Sequence, residues 1–512
     1  MKKAALYLLL ITLFSKILGF TREIVLSHMY GASNISDAYI VSTTVPTFIF
    51  SFLGVAIATS YIPIYSTIEN EKGIQSANIF TNTLVHFVIL ICTLLIIVAF
   101  VFTTPIVKLF ASGFDKKTLS LAVLFTKISI FSIYFIGLIY VFNSYLQIKG
   151  KFVIPACIGF LFNFVIITSI ILSDFFNILM LPIGYVLSYI LQFLFLLPFL
   201  RKHKYKYKYS FIIDKDTSYY MKRIFYLSLP GIFGASVNEI NSIVDRTIAS
   251  RISVGGISAL NYAINLNSFI QGLFVLTITT VMYPIISKMV VESDVDGVKK
   301  SLNKAINSIT LLVIPITIGS MIFSEPLINF LFGRGAFDSK ALSMTSEALF
   351  FYSIGMIGFS LRELLSRVFY AFQDTKTPMI NAAIAIFMNI VLSIILSRYL
   401  EIGGLALATS ISAIFCTLLL FINLRNKIGS FEIRNIIISF VKVLCASLLM
   451  GMISRFFYYA LLNNINDNLC LVLSVCIGAI TYLVIIYFMR IKEINIIVNV
   501  IKKKLFSSFN VL

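Results

Sequence analysis

The chain has no tryptophan, only three histidines and six cysteines, and 22 acidic residues against 41 basic ones. Each shortage excludes something. Without tryptophan, any interfacial aromatic belt falls to the 25 tyrosines. The three histidines and the cysteines (Cys92, Cys157, Cys416, Cys445, Cys470, Cys476) show no metal-ligand spacing, and the cysteines sit in apolar runs as small hydrophobes. His28 and His86 stand alone and are read as packing residues. No GxxxxGKS phosphate loop, no HExxH and no nucleophile with a well-spaced base occurs, so the chain does not drive transport with ATP by itself. A membrane glycosyltransferase or phosphatase would want clustered carboxylates or histidines facing the headgroups, and the loops offer only scattered ones. Charged residues are also scarce, at 12% against 59% hydrophobic, with a mean hydropathy of +0.96. That balance rules out a water-soluble globule of 512 residues.

The composition is that of an all-α integral membrane protein. A span needs roughly 20 apolar residues. About fourteen such runs occur, near 4–29, 37–65, 78–106, 119–147, 152–173, 177–200, 220–250, 257–287, 301–323, 344–371, 378–399, 403–424, 433–461 and 468–489. Barrel strands would instead show short alternating segments. The opening Met-Lys-Lys and its apolar run resemble a signal peptide, but no small-residue cleavage site follows, so the run is read as the first span. The net charge of +19 does not form one patch and gives no nucleic-acid surface; it alternates between connections. With both termini cytoplasmic, inward segments hold about 26 Lys and Arg, including RKHKYKYK at 201–208 and KKK at 502–504, against about seven outside. Such an inner face attracts anionic membrane lipids.

A weak internal repeat recurs at an offset of about 221 to 226 residues: SYLQIKGKFVIP at 144–155 with FYAFQDTKTP at 369–378, and YIPIYS at 61–66 with MYPIIS at 282–287. Six spans separate the members of each pair, so the halves share orientation and are related by an axis along the membrane normal. The expected organisation is two six-helix bundles, residues 1–210 and 215–428. Helices 13 and 14 follow at 429–490, then a basic amphipathic cytoplasmic tail at 491–512. GGL at 403–405, LPGIFG at 229–234 and prolines 46, 230 and 378 mark bends or close helix approach.

The most telling stretch is SKILGFTREIV at 15–25, which places Lys16, Arg22 and Glu23 inside a span. A charge near the bilayer centre costs about 2.5 to 3.5 kcal/mol, so each needs a partner or a purpose. At an offset of 223 the three fall on Glu239, Asp245 and Arg246 of the seventh span, every sign inverted. Opposite charges on spans one and seven are therefore expected to pair near the pseudo-twofold axis and hold one conformation closed, or simply to help assembly. Glu363 and Arg367 of the tenth span, with Arg362, suit an intrahelical i, i+4 pair. Lys442 and Arg455 lie where they can snorkel.

SKILGFTRE at 15–23, YGASNISDAY at 30–39, GGISALNYA at 255–263, RVFYAFQDTKTP at 367–378 and GGLALATSISA at 403–413 together resemble the MurJ (MviN) lipid II flippases of the multidrug/oligosaccharidyl-lipid/polysaccharide exporter superfamily, over nearly the whole chain. The resemblance implies a fourteen-helix transporter in the bacterial cytoplasmic membrane. It would carry a lipid-linked oligosaccharide pyrophosphate, the undecaprenyl-linked peptidoglycan precursor, from the inner to the outer leaflet by alternating access. It implies substrate-binding roles for Arg22, for Lys16 in place of a family arginine, and for Asp37 at the start of the second span. Two family arginines are replaced here, by Phe50 and by Asn265, and Asn265 is expected to keep a substrate-binding place. The resemblance also implies a sodium site at Asp245, Asn389 and Thr409, with Ser393 where a second carboxylate is expected; no other cofactor is implied. Another polyprenyl-linked glycan, for a capsule or teichoic acid, is the first alternative cargo. A drug or cation exporter of the same superfamily would want net carboxylates in its cavity, and a non-transporting scaffold would tolerate loss of the intramembrane charges.

Overall fold

The computed structural model describes residues 2–203, 205, 207, 215–430, 433–462 and 465–489. They form sixteen helical elements and, among the described residues, no strand. In chain order these are α1 (Lys2–Tyr30), α2 (Asn34–Val101), α3 (Thr103–Phe110), α4 (Lys116–Ser129), α5 (Ser132–Ile148), α6 (Val153–Phe175), α7 (Met180–Lys202) and α8 (Lys215–Ile252). There follow α9 (Gly256–Val291), α10 (Val295–Ile322), α11 (Ser324–Phe332), α12 (Ser339–Ile354), α13 (Met356–Ala371), α14 (Lys376–Ile428), α15 (Ile433–Leu462) and α16 (Asp467–Phe488). The basic tail expected at 491–512 and lysines 204, 206 and 208 of the basic loop lie outside the described residues, as do the side chains flanking Ile232 in the 229–234 motif.

Helix limits and span limits differ for physical reasons. A helix need not stop where the hydrocarbon does, because its backbone bonds stay satisfied in water as well. The second and third spans accordingly share α2, which runs on through polar TIENEKGIQSAN and breaks only at Gly73, where φ 82 and ψ 169 suit glycine. α14 joins spans eleven and twelve across a break at Leu400 and Glu401. In the other direction, the fourth span is the bent pair α4 and α5, at 43°, and the tenth is α12 and α13, at 47°. Among the described residues seven helices are long and apolar enough to cross a membrane, and up to ten if each bent pair, including Gly256–Gly272 with Thr277–Val291 of α9 at 50°, is one span. The doubled α2 and α14, together with α1 and α8, complete the fourteen expected runs. The chain is a multi-pass membrane protein, and its exposed surface is studded with Leu94, Phe164, Phe387, Ile480 and Phe488.

The described chain packs as two compact units. The first comprises Met1–Asn261 and Arg334–Ala341. It extends past the border expected near 210–215 because α8 packs along α2: Arg246 donates to the Thr44 hydroxyl and Ser60 Oγ to the Ile224 carbonyl at 3.4 Å. In this unit α1 lies on α6, α6 on α7, and α2 on α4, α5 and α8. An aromatic knot ties α2 to α5 and to the segment after α7. Tyr65 meets Tyr145 at 5.6 Å, Tyr145 meets Tyr205 at 5.3 Å, and the Tyr205 hydroxyl donates to Asn82 Oδ1 at 2.6 Å. Beside the knot, Lys149 Nζ lies 2.5 Å from Glu69 Oε1 and over the rings of Tyr65 and Tyr145.

The second unit comprises Tyr262–Gly333 and Leu342–Leu512. Leu302, Ile306 and Ile309 of α10 interleave with Leu364, Leu365 and Val368 of α13 and with Leu420 and Leu424 of α14. Against the other side of α10 sit the two C-terminal helices, through Val443, Ala446 and Ile486, with the Tyr482 hydroxyl donating to the Leu311 carbonyl at 2.6 Å.

Candidate functional site

Arg22 and Glu23 are neighbours on α1 and pair with each other. Arg22 Nη2 lies 2.6 Å from Glu23 Oε1, and Nη1 donates to Asn163 Oδ1 of α6 at 3.3 Å. Asn163 is fixed in turn: its Nδ2 donates to the Ser15 carbonyl at 3.2 Å and the Gly159 carbonyl at 2.9 Å. Glu23 is 4% exposed, and its second oxygen accepts from Asn261 Nδ2 at 3.0 Å. The guanidinium lies 5.7 Å from the Phe162 ring centroid, and Phe162, Tyr185 and Tyr189 form an aromatic wall with centroid spacings of 5.2 to 6.2 Å. The Arg22 side chain keeps 27% of its surface. Nε also donates to Glu23 Oε1 at 3.3 Å, so all three nitrogens are engaged, and the exposed part of the fork is the surface that a second anion would meet, since its geometry matches carboxylate and phosphate oxygens.

Lys16, two turns earlier on α1, is half-buried and has no hydrogen bond or carboxylate within ion-pair distance among the described residues. The expected pairing across spans one and seven is therefore not the one found. Glu23 takes Arg22, Lys16 stands apart from Glu239, and Arg246 donates to Thr44. Asp245 accepts from Asn241 Nδ2 at 3.2 Å, one turn away on its own helix. The reason is proximity: Glu23 reaches the adjacent guanidinium, which leaves no oxygen over once Asn261 has bound the other. Glu239 instead faces a cavity of ≈ 280 Å³ within the first unit, with Thr47, Phe50 and Ser51 of α2, Tyr140 of α5 and Tyr189 of α7 around it.

Asp37 has another position. It is 1% exposed, and its two oxygens accept from the backbone N–H of Gly255 and of Ser258, both at 2.8 Å, and from the Ser258 hydroxyl. These are the orphan donors at the start of α9, where a carboxylate also meets the positive helix end. Asp37 holds that helix start instead of facing an opening. The approach depends on Gly255, at φ +81, where a Cβ would sit 2.2 Å from the Ala32 carbonyl oxygen. At the same end, Ala336 N–H donates to the His28 backbone carbonyl at 2.9 Å, while His28, expected to pack, is exposed. His86 packs on Tyr207, with Nε2 2.8 Å from its hydroxyl.

In the second unit, Asn265 of α9 is half-buried, with no hydrogen-bond partner among the described residues. Asn389 is 2% exposed and its Oδ1 accepts from Ser393 Oγ at 3.2 Å, while the Thr409 hydroxyl donates to the Leu405 carbonyl at 3.0 Å. With Ser393 in the place of a carboxylate, this unit offers a cation only neutral oxygens from these positions, and Asp245 belongs to the other unit. The intrahelical pair expected on span ten is present: Arg367 Nε donates to Glu363 Oε1 at 2.8 Å. Asn163 and Asn261 were not singled out from the sequence. A lone asparagine in FLFNFVII was the available signal, since a polar side chain in an apolar run needs a partner.

A family model described as lipid II flippase MurJ matches residues 26–466. A probable lipid II flippase MurJ of Buchnera aphidicola subsp. Baizongia pistaciae is 30% identical over 476 residues, 92% of this chain and 90% of that protein. The lipid II flippase MurJ of Thermosipho africanus is 30% identical over 475 residues, 92% of this chain and 93% of that protein. Among solved structures, a lipid II flippase MurJ in an inward closed conformation superposes with a TM-score of 0.81 at 30% identity, covering 94% of this chain and 98% of that one. A multidrug resistance MATE family transporter of the MOP superfamily superposes at 0.66 with 16% identity, over 83% of this chain and 98% of that one, a likeness of fold alone. By the extent of the family match and the identity to these relatives, the chain belongs to the MurJ lipid II flippase family.

Proposed function

We propose that this protein moves lipid II, the undecaprenyl-pyrophosphate-linked peptidoglycan precursor, from the inner to the outer leaflet of the bacterial cytoplasmic membrane. Family membership supports the cargo class, and the cations of α1 supply the chemistry. The single observation that carries the reading is Lys16: an intramembrane ammonium with no protein counter-ion among the described residues, two turns from a part-exposed guanidinium. A diphosphate at that depth loses its water and needs replacement donors, and the guanidinium of Arg22 and the ammonium of Lys16 are donors of the right charge. The protein then acts as a transporter and makes or breaks no covalent bond. Both termini are cytoplasmic in this reading, since the Lys and Arg of alternate connections then face inward.

Another polyprenyl-linked glycan is the second reading, and Phe50 and Asn265 favour it, because two cations that the resemblance places in the cavity are absent. Depleting the protein in its host and identifying the polyprenyl-linked intermediate that accumulates in the inner leaflet separates the two. Lipid II is the expected species. A different lipid-linked glycan would move the cargo to the second reading, and no accumulation of any would overturn flipping.

A further inference from the structure

The cavity that Glu239 faces is walled by chemistry of the opposite sense to the Arg22 site. Its ionisable carboxylate is Glu239 of α8, and the rings of Phe50, Tyr140 and Tyr189 stand around it with the hydroxyls of Thr47 and Ser51. No lysine or arginine lines it among the described residues. Phe50 and Tyr140 are in contact, with centroids 5.4 Å apart. Among the described residues Glu239 makes no ion pair; it hydrogen-bonds with Ser51 and feels the charge of Arg246, two turns along α8 and itself donating to Thr44. Aromatic faces carry negative potential and attract cations, and a carboxylate with no contact ion pair has an oxygen to offer an arriving ammonium. At ≈ 280 Å³ the cavity is too small for a whole disaccharide-peptide headgroup and has room for an aminoalkyl arm.

Two further facts join this cavity to the anion site. Phe50 stands where the resemblance places an arginine, so the exchange converts a cationic lining into an acidic, aromatic one. Tyr189 lines the cavity and also packs, at 5.2 Å, on Phe162, the ring beneath the Arg22 guanidinium. A cation-accepting and an anion-accepting position thus share one aromatic wall. We propose that this cavity receives a primary ammonium group of the transported headgroup, so that the cargo is read at its diphosphate by α1 and at a free amine by Glu239. The assignment rests on the lipid-linked cargo proposed above.

The test uses the full-length protein and a short-chain polyprenyl-pyrophosphate glycopeptide in two forms, one with a free amine and one with that amine acetylated. The wild type should bind the free amine about tenfold more tightly, as expected for one charge-assisted contact. Both E239Q and F50R, the latter bringing a guanidinium to the acid, should bring the two affinities within about twofold of each other. Equal affinities in the wild type, or a preference that survives in both variants, would overturn the amine subsite while leaving the flippase reading intact. If neither form binds the wild type, the flippase reading and the subsite fall together. Ethylammonium supplies the remaining arm. Its displacement by the amine-bearing form alone supports the headgroup assignment, whereas saturable binding that neither form displaces assigns the cavity to a free cation and overturns it.

Discussion

Replacing Asp37 by alanine should destabilise the protein, and the geometry sets the size. The substitution strands two buried backbone donors, Gly255 N–H and Ser258 N–H, each now 2.8 Å from a carboxylate oxygen. An unsatisfied buried donor costs about 1 to 3 kcal/mol. Loss of the negative charge at the start of α9 adds about 0.3 to 1 kcal/mol, and relief of the carboxylate's own desolvation offsets part of the sum. The net expectation is a loss of about 2 to 4 kcal/mol, a large share of the roughly 5 to 15 kcal/mol that holds a domain together. Asparagine does not rescue it, because its amide group turns one donor towards another. With no tryptophan to report unfolding, the reaction of buried Cys92, Cys416 and Cys470 with a thiol dye serves, after exposed Cys445 and Cys476 are capped. D37A should unfold several degrees below the wild type in the same detergent. An unchanged midpoint combined with weakened cargo binding would refute the capping role and return Asp37 to the substrate site.

Two further outcomes follow from local geometry. Asp374 precedes α14 and accepts from Lys427 Nζ at 2.7 Å and from Thr377 N–H at 3.0 Å, which holds its carboxyl down to about 2. A depressed folded value means that the contribution is fully present above the unfolded value near 3.9 and is lost as pH falls towards about 2. The stability gap between wild type and D374N should thus be flat above pH 5 and close between about pH 4 and 2, as read by unfolding midpoints across pH; a gap that opens on acidification would contradict the pairing. Gly255→Ala forces a Cβ into the left-handed region and against the Ala32 carbonyl oxygen, and should cost about 2 to 5 kcal/mol, visible as a lowered midpoint or poor yield of folded protein.

The span count was legible because hydrocarbon thickness fixes run length, whatever the helix does beyond it. The ends of helices were not, since TIENEKGIQSAN reads as a loop by polarity yet stays helical up to Gly73. The intramembrane charges also announced themselves through their cost. Their partners did not. The repeat offset pointed from Arg22 to Asp245, but a guanidinium long enough to turn along its own helix reached Glu23, an i, i+1 contact that helical spacing alone argues against. Asp37 was visible as a notable acid, whereas its use as the cap of a helix more than two hundred residues away required the fold. Phe50 and Glu239 were each noted separately, and only packing shows that they line one cavity.

Lys16 gives the most direct measurement, because among the described residues it makes no ion pair whose loss could be mistaken for a functional effect. Purified wild type, K16Q and K16R are reconstituted in vesicles, and translocation of labelled lipid II is followed, with unfolding midpoints recorded in parallel. K16Q should keep its midpoint and lose about tenfold or more in rate, as removal of one charge-assisted phosphate contact implies, and K16R should retain most of it. A wild-type rate in K16Q would contradict the claim that the cations of the first helix meet a diphosphate within the membrane.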